Sequence, residues 1–454
     1  MRVNLEIPLS LDELCILLKA PPIIPSAYVK AVSTDTREAN EGDLFIALCG
    51  ERDSGERYVS EAKAKNCYVI AESKSADIRV SNTKDALLDI AHYYKSKLPI
   101  KKTVAVTGSV GKSTTVKFLS KILGIKYKVH APQGNFNNTI GVPITILSAP
   151  KDTEVLITEL GMNHFGEIAV LSECVNPDIA IITSIGTAHI GNFGTRERIA
   201  QAKLEILCGM NNGQLLLPAN EPLLENTDNA MYVSRTSSLS QFSLLKSEKG
   251  YGLTSPYGNV SNIPFFDTRE HLLSDLAFAL STAQLLGMTA DEIIMGAHAI
   301  SQADLRQRFI LLRDLTIFDD SYNASLESVV ADLKFISERY HPSGAFLGDI
   351  LELGDSSYAI HEEIGREAAR LGIGNLYLMG KFTSYTRRGA LDCGMDSKSI
   401  FINEDVDDPG KSIEQILSNH KPGEVILFKA SHKLRFDRIA DMIKKKEEMK
   451  NDQR

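Results

Sequence analysis

The chain has 454 residues, which is long enough for several domains with sizeable cores, and 43% of them are hydrophobic. Its formal net charge of -8 argues against a nucleic-acid partner, which would need a basic patch. The N-terminal stretch is charged where a signal peptide would be apolar, and no apolar run approaches the roughly 18 residues of a membrane span. The sequence therefore predicts a cytoplasmic protein without membrane insertion.

Three blocks of the chain differ in their pattern. Residues 1–98 mix strand-like and helical runs and close with "NTKDALLDIAHYYKSKL", which has the apolar spacing of a helix. In residues 99–305, the buried strands "TVAVTG", "VLITEL", "IAIITS" and "QLLLPA" alternate with helices, which predicts a mainly parallel sheet covered on both faces. Residues 228–268 are the least interpretable part of this block. The alternation restarts in residues 306–454 and predicts a Rossmann-like, doubly wound domain. The predicted fold class is thus α/β with three domains.

The stretch "AVTGSVGKSTTVKFL", residues 105–119, has the order strand, glycine-rich loop and helix. In such a loop, successive backbone N–H groups and the positive end of the helix bind phosphate oxygens. Val106 stands where the usual pattern has its first glycine, so a plain glycine turn with a solvated lysine remains the alternative. Lys112 can reach the outer phosphates, and Ser113 can bind Mg²⁺. The predicted phosphate site consists of Gly108, Ser109, Val110, Gly111, Lys112, Ser113 and Thr114.

Further motifs follow the loop in a fixed order. They are "GNFNNTIGVP", "TELGMNHFGEI", "TSIGTAHIGNFGTRERIAQAKLEI", "DDSYNASLESV", "LGDILELGDSS" and "FKASHKLRFD". This series resembles the Mur ligases, ATP-dependent enzymes that form amide bonds in peptidoglycan precursor synthesis and whose phosphate loop also lacks the first glycine. The resemblance implies a UDP-muramoyl substrate-binding domain in 1–98, a central P-loop ATP-binding domain in 99–305, and a C-terminal domain in 306–454 that contributes to nucleotide and dipeptide binding.

Within that family, the motifs are most similar to the branch that adds D-alanyl-D-alanine to UDP-N-acetylmuramoyl-tripeptide. The resemblance implies an acyl phosphate intermediate, ATP and Mg²⁺ as cofactors, and a monomeric enzyme. Two alternatives remain: another ligase of the superfamily, of the third-residue-adding or folylpolyglutamate type, and a P-loop ATPase without an amide product. The "DNPR" motif expected of a diaminopimelate-adding ligase does not occur in the sequence.

Candidate metal ligands lie at the ends of two predicted strands. Glu159 ends "VLITEL" and is predicted to bind a first Mg²⁺ together with Ser113, because hard cations prefer oxygen ligands. His189 follows the next strand, and the resemblance assigns it to a second Mg²⁺ site. A packed or capping histidine is the alternative for His189.

Lys203, in "RIAQAKLEI", is predicted to have unusual chemistry. The resemblance implies that this lysine is carbamylated to N6-carboxylysine, which would turn a cation into a metal-supporting anion. The alternative is a surface lysine paired with Glu205 or Glu197.

Several polar residues are candidates for substrate contacts. Asn137 and Asn138 are predicted to contact the nucleotide-sugar substrate, with a turn-forming role as the alternative. By resemblance, His164 lies near the muramoyl group, although it could instead cap a helix. Asp349 and His432 are predicted parts of the dipeptide pocket.

The remaining candidates concern the nucleotide. Arg306 is predicted to reach the γ-phosphate, with Arg308 as the competitor for this role. Asp320 and Asn323 follow a strand of the third block, at the sheet edge where open α/β folds bind ligands. The resemblance implies that they face the nucleotide and the incoming amine.

The segment "EHLLSDLAFAL" departs from the family pattern. His271 is retained as a predicted nucleotide contact. Leu272 and Asp275, however, stand where the family usually has asparagines near the adenine. How this chain recognises the base is therefore left open by its sequence.

Overall fold

The computed structural model of the protein describes residues 1–50, 54–236, 240–305 and 307–452. Contacts divide the chain into two compact units. The first unit comprises Met1–Thr183, Gln201–Phe266 and Leu273–Ile300, and the second comprises Ser184–Ala200, Asp267–Leu272 and Ser301–Arg454. The predicted domain boundaries at 98 and 305 remain predictions. None of the helices within the described ranges is long and apolar enough to cross a bilayer.

The N-terminal part of the chain forms a five-stranded sheet of order β1-β2-β3-β4-β5, in which only the β1–β2 pair is antiparallel. The closing helix that the sequence predicts is observed as the last element of this region. The elements are β1 (Arg2–Ser10), α1 (Leu11–Leu17), β2 (Tyr28–Ser33), β3 (Leu44–Ile46), α2 (Val59–Ala64), β4 (Tyr68–Ala71), β5 (Ile78–Arg79) and α3 (Thr83–Ser96).

The middle of the chain forms a nine-stranded sheet of order β14-β13-β12-β11-β10-β9-β6-β8-β7. Its strands are β6 (Lys102–Thr107), β7 (Val129–His130), β8 (Val155–Glu159), β9 (Ile179–Ile182), β10 (Gln214–Pro218), β11 (Ala230–Ser234), β12 (Phe242–Ser247), β13 (Gly250–Thr254) and β14 (Val260–Ile263). The helices of this stretch are α4 (Lys112–Leu123), α5 (Gly141–Leu147), α6 (Glu167–Val175), α7 (Ile190–Phe193), α8 (Arg196–Leu204), α9 (Glu270–Leu285) and α10 (Ala290–His298).

Strand β6 lies inside this sheet, between β9 and β8, and both pairings are parallel. Its last five residues are buried, as expected for a strand covered on both faces. Helix α4 follows it directly and buries an apolar stripe that includes Val116, Phe118 and Leu119. The loop between β6 and α4 is therefore held at the carboxyl edge of the sheet by two well-packed elements.

The C-terminal part forms a six-stranded sheet of order β15-β16-β20-β17-β18-β19, parallel except for the β15 edge strand. Its strands are β15 (Arg308–Leu311), β16 (Leu315–Asp319), β17 (Ser343–Gly348), β18 (Asn375–Met379), β19 (Ile400–Asn403) and β20 (Glu424–Lys429). Its helices are α11 (Leu326–Arg339), α12 (Ser357–Arg370), α13 (Thr383–Asp392), α14 (Gly410–Asn419) and α15 (Phe436–Asp452).

The α/β class with three sheets is confirmed, including the parallel strands predicted in the second and third blocks. Two features were not predicted. The uninterpreted segment 228–268 contains β11 to β14, which extend the central sheet and turn it antiparallel at one end. The antiparallel strand β15 was also missed. These strands are only four to six residues long, and β12 to β14 also contain serine or glycine, so the apolar pattern is weak.

Helices α12 and α13 pack with their backbones in unusually close contact. A Cβ atom added to Gly365 would lie 1.9 Å from the carbonyl oxygen of Thr386, and one added to Gly389 would lie 1.9 Å from that of Glu362. In both cases the added Cβ atom would overlap with backbone atoms, and a change of side-chain rotamer cannot relieve such an overlap. The close approach of the two helices therefore requires glycine at both positions.

We expect Gly365→Ala to destabilise the C-terminal unit by roughly 1–3 kcal/mol or more, because the helices must separate to admit the methyl group. Urea unfolding followed by circular dichroism measures this loss. Ala359→Ser, on the exposed face of the same helix, is the matched control and should change stability little. Equal stability of Gly365→Ala and the wild type would contradict the close packing.

Candidate active site

The glycine-rich loop between β6 and α4 contains two glycines with positive φ angles. Gly108 and Gly111 have φ angles of +151° and +92°, which side chains disfavour. Helix α4 starts immediately after the loop, where the N–H of Thr115 bonds to the carbonyl oxygen of Gly111 at 2.8 Å. The Nζ atom of Lys112 donates to the carbonyl oxygen of Gly108 at 2.7 Å. Lys112 is thus folded onto the loop rather than simply solvated.

Val106, the apparent departure from the usual loop pattern, belongs to the strand and not to the loop. Its side chain is fully buried, and it pairs with Glu159 in the parallel ladder between β6 and β8. Its carbonyl oxygen accepts the N–H of Leu160 at 2.8 Å. A side chain at this position therefore serves core packing, and the loop itself begins at Gly108.

Glu159 ends β8 beside the loop, and its carboxylate joins two other predicted site residues. Its side chain is 3% exposed. One carboxylate oxygen accepts the hydroxyl of Ser113 at 2.5 Å, and the other accepts the amide of Asn137 at 2.9 Å. The structure therefore brings Ser113, Glu159 and Asn137 together at the start of α4.

Lys203 lies near the end of α8 and is 3% exposed, so it is not the surface lysine of the alternative interpretation. Within the described ranges, no carboxylate forms an ion pair with it. Burial, aided by the positive charge of Lys112, lowers the pKa of the Lys203 amine well below its usual value. Glu205 instead accepts the backbone N–H of Gly166 at 2.8 Å. Burial therefore shifts Lys203 towards its neutral form.

Two of the predicted substrate contacts lie outside the cluster around Glu159. The side-chain oxygen of Asn138 accepts two backbone N–H groups at the start of α5, at 3.1 and 2.8 Å, which matches the turn-forming alternative. The His164 side chain is 68% exposed, and its Nδ1 atom lies 3.6 Å from a carboxylate oxygen of Glu167. The imidazole is accessible to a substrate, and the contact of His164 with the substrate remains a prediction.

His189 lies in the compact unit that contains the C-terminal sheet. It precedes α7 with a φ angle of +64°, and its Nδ1 atom lies 2.7 Å from a carboxylate oxygen of Glu352. The carbonyl oxygen of Glu352 also accepts the N–H of Gly191 at 3.0 Å. His189 is thus oriented by an acidic partner from the "LELG" segment.

A buried charge cluster lies at the carboxyl end of the C-terminal sheet. Lys429, at the end of β20, is 1% exposed; its Nζ atom lies 2.8 Å from Asp332 on α11 and is also paired with Asp320. Burial raises the pKa of Asp320 to about 7, and the nearby Asp332 contributes to this. Burial and the charge of Arg269 lower the pKa of His271 to about 4. Asp320 and His271 therefore lie in one charged environment.

The other predicted residues of this sheet edge are arranged differently. Asn323 is exposed in the turn before α11. The carboxylate of Asp349 is 6% exposed and accepts two backbone N–H groups of the loop after β18, at 2.8 and 3.1 Å. The imidazole of His432 packs against the ring of Tyr322, with centroids 5.3 Å apart. Asp349 therefore stabilises a loop, and the contacts of Asn323, Asp349 and His432 with a ligand remain predictions.

Two arginines were proposed for the γ-phosphate. Arg306 lies outside the described residues. The guanidinium of Arg308 is bonded to Asp319 at 2.7 Å and to Asp441 at 3.2 Å. Arg308 is thus engaged by two carboxylates of its own unit.

Leu272 and Asp275, which replace the expected asparagines, are both buried. One carboxyl oxygen of Asp275 accepts the hydroxyl of Thr115 at 3.1 Å. Asp275 therefore lies against the first turn of α4, directly behind the phosphate loop.

Comparison with known proteins identifies the family of this chain. Residues 106–261 match the family model described as Mur ligase middle domain. The chain is 33% identical over 437 residues to the UDP-N-acetylmuramoyl-tripeptide--D-alanyl-D-alanine ligase of Bacillus subtilis (strain 168), covering 92% of this chain and 94% of the relative. The chain belongs to the Mur ligase family.

Solved structures of Mur ligases match almost the whole chain. A crystal structure of MurF from Acinetobacter baumannii superposes with a TM-score of 0.85 at 28% identity, covering 97% of this chain and 99% of that one. MurF ligase from Thermotoga maritima in complex with ADP gives a TM-score of 0.79 at 27% identity, covering 92% and 98%. The three-domain Mur ligase fold therefore applies to this chain.

Three charged residues of this Mur ligase were missed by the sequence interpretation. Glu352 lies within a quoted motif but was not singled out, and its contact with His189 could not be read from the sequence. Asp332 is a carboxylate on the apolar stripe of α11, and Lys429 ends an apolar strand. Asp332 and Lys429 are charged residues at positions where the apolar pattern predicts buried side chains, and this mismatch could have identified them.

We expect Asp320→Asn to reduce the pH dependence of stability in this Mur ligase. The pKa of Asp320 is about 7 in the folded protein and 3.8 ordinarily, so the folded state binds an extra proton between these values. The free energy of unfolding should therefore fall as the pH rises from about 4 to about 7, and asparagine cannot contribute to this fall. Urea unfolding at several pH values measures the difference in slope; parallel wild-type and variant curves would contradict it.

Lys429→Met provides the contrast for this measurement. It leaves Asp320 and Asp332 buried without their cation, which typically costs about 3–5 kcal/mol. Asp320→Asn keeps one lysine and one carboxylate paired, so at pH 8 it should cost much less than Lys429→Met.

Proposed function

We propose that this protein is an ATP-dependent carboxylate–amine ligase that joins D-alanyl-D-alanine to the terminal carboxylate of UDP-N-acetylmuramoyl-tripeptide. The observation that carries the proposal is the phosphate loop with Ser113 and Glu159 bonded beside it, in a chain similar over its length to ligases of that name. This is a step of peptidoglycan precursor synthesis, and we propose that it takes place in the cytoplasm with a monomeric enzyme.

In the proposed reaction, the tripeptide carboxylate attacks the γ-phosphorus of ATP, which forms an acyl phosphate and releases ADP. The amino group of the dipeptide then attacks the acyl carbon, expels phosphate and loses a proton as the amide forms. The role of the protein is mainly positioning and charge neutralisation. Backbone N–H groups of the loop would hold the phosphates, and Lys112 would exchange its bond to the Gly108 carbonyl for a phosphate oxygen.

The residues around Glu159 fit a magnesium ion. The hydroxyl of Ser113 and the buried carboxylate of Glu159 provide hard oxygen atoms side by side. The described residues contain no cluster of three or more His, Cys, Asp or Glu side chains arranged for a metal. Mg²⁺ commonly takes one or two carboxylates and completes its shell with waters and substrate phosphates, so few protein ligands suffice. The ion would supply charge neutralisation at the phosphates.

We further propose that two Mg²⁺ ions take part and that His189 and carbamylated Lys203 belong to the second site. A neutral amine is the form that adds to carbon dioxide, giving a carbamate and releasing a proton. The burial of Lys203 without a carboxylate partner in the described ranges lowers the pKa of its amine and so supports a larger neutral fraction. The resulting anion would lie in the field of Lys112.

We expect Lys203→Ala to lower the rate of ligation by a hundredfold or more, on the order of the effect of losing one preorganised charged group. Added acetate or formate should restore part of the rate by replacing the carbamate. Lys121→Ala, on the exposed side of α4, is the control and should keep its rate with or without the added acid. An unchanged rate in Lys203→Ala would refute the carbamate.

The function itself is tested by phosphate release with UDP-N-acetylmuramoyl-tripeptide and a panel of D- and L-dipeptides. We expect release only when ATP, the tripeptide and a dipeptide are all present, with D-alanyl-D-alanine giving the greatest stimulation. Stimulation by single amino acids instead would indicate another ligase of the superfamily. Phosphate release without any amine would indicate an ATPase that forms no amide.

A further inference from the structure

Asp275 is a buried acid on α9 that the proposed reaction does not use. Its side chain is 4% exposed, and it lies against Gly111 of the glycine-rich loop. The hydroxyl of Thr115 donates to a carboxyl oxygen of Asp275 at 3.1 Å. Thr115 is itself fully buried in the first turn of α4.

The second contact of Asp275 is with the loop backbone. A Cβ atom added to Gly111 would lie 2.3 Å from a carboxyl oxygen of Asp275 and 3.1 Å from its carboxyl carbon. Gly111 is the last loop residue, and its φ angle of +92° turns the chain into α4. The carboxyl group therefore packs directly against the point where the loop becomes a helix.

We propose that Asp275 is a positioning residue that supports the phosphate loop from behind, by packing against Gly111 and bonding to Thr115. The proposal rests on the proposed function, because it assumes that this loop binds the phosphates of ATP. The group that touches the phosphates is the loop itself, and Asp275 acts on it through these two contacts.

The direction in which burial shifts the pKa of Asp275 fits this role. Burial raises its pKa well above the usual value, and the bond from Thr115 offsets only part of this effect. A neutral carboxyl group supports the backbone without placing a negative charge at the N-terminus of α4. An ionised one would compete with phosphate for the positive end of the helix. An amide of the same shape should therefore replace it.

The test measures the binding of ADP with Mg²⁺ by calorimetry in five variants and the wild type. Asp275→Asn should bind ADP like the wild type, within about twofold. Asp275→Leu should bind about tenfold more weakly or worse, because the Thr115 hydroxyl loses its partner and the loop its support. The KM for UDP-N-acetylmuramoyl-tripeptide should stay unchanged in both, which general damage to the fold would not produce.

Thr115→Val removes the same bond from the other side and keeps the test informative if Asp275→Leu does not fold. It should also weaken ADP binding, and the double variant Thr115→Val/Asp275→Leu should be no weaker than the weaker single variant. Ser281→Ala, a buried polar position further along α9, is the matched control and should bind ADP normally.

Two results would overturn the inference while leaving the proposed function intact. One is wild-type ADP affinity in both Asp275→Leu and Thr115→Val, which would mean that the loop needs no support from α9. The other is weak binding by Asp275→Asn equal to that of Asp275→Leu, which would mean that an ionised carboxylate is needed. A wild-type protein that binds no ADP would overturn both the proposed function and this inference.

Discussion

The parallel pairing of β6 with β8 is the constraint on which the candidate active site depends. It places Glu159 beside Val106, at the same height as the start of the phosphate loop. The carboxylate can then bond to Ser113 on α4 and to Asn137 from a third segment. A shift of this register by one residue would turn Glu159 to the other face of the sheet. The oxygen cluster is therefore a consequence of strand pairing as much as of the residues themselves.

The sequence predicted those parts of the fold in which apolar runs are long and unbroken. The strands around "TVAVT" and "VLITEL" and the helix that follows the glycine-rich loop were predicted because buried elements leave a clear apolar pattern. Strands β11 to β14 were missed because apolar and polar residues alternate only weakly in these strands, which also contain glycine and serine. The apparent defect at Val106 also needed the structure, since only the ladder with β8 assigns that residue to a strand.

For the candidate site, the sequence patterns identified residue types, but they did not predict the burial or the tertiary contacts of those residues. Lys203 could have been a surface lysine, and only its burial separates the two interpretations. The pairing of Lys429 with Asp332 joins residues that are distant in the chain, so no local pattern contains it. Asp275 looked like a lost base contact, whereas its position against Thr115 and Gly111 suggests a different use. In each case the missing information was a tertiary contact.

The backbone contact between α12 and α13 limits how this region can change in evolution. In most cores, a larger side chain at one position can be offset by a smaller one opposite, because a layer of side chains lies between the backbones. Here Gly365 and Gly389 each face a carbonyl oxygen, and a carbonyl cannot be made smaller by substitution. Sequence drift in this helix pair should therefore occur on the outer faces, while the two glycines can be replaced only if the helices move apart together.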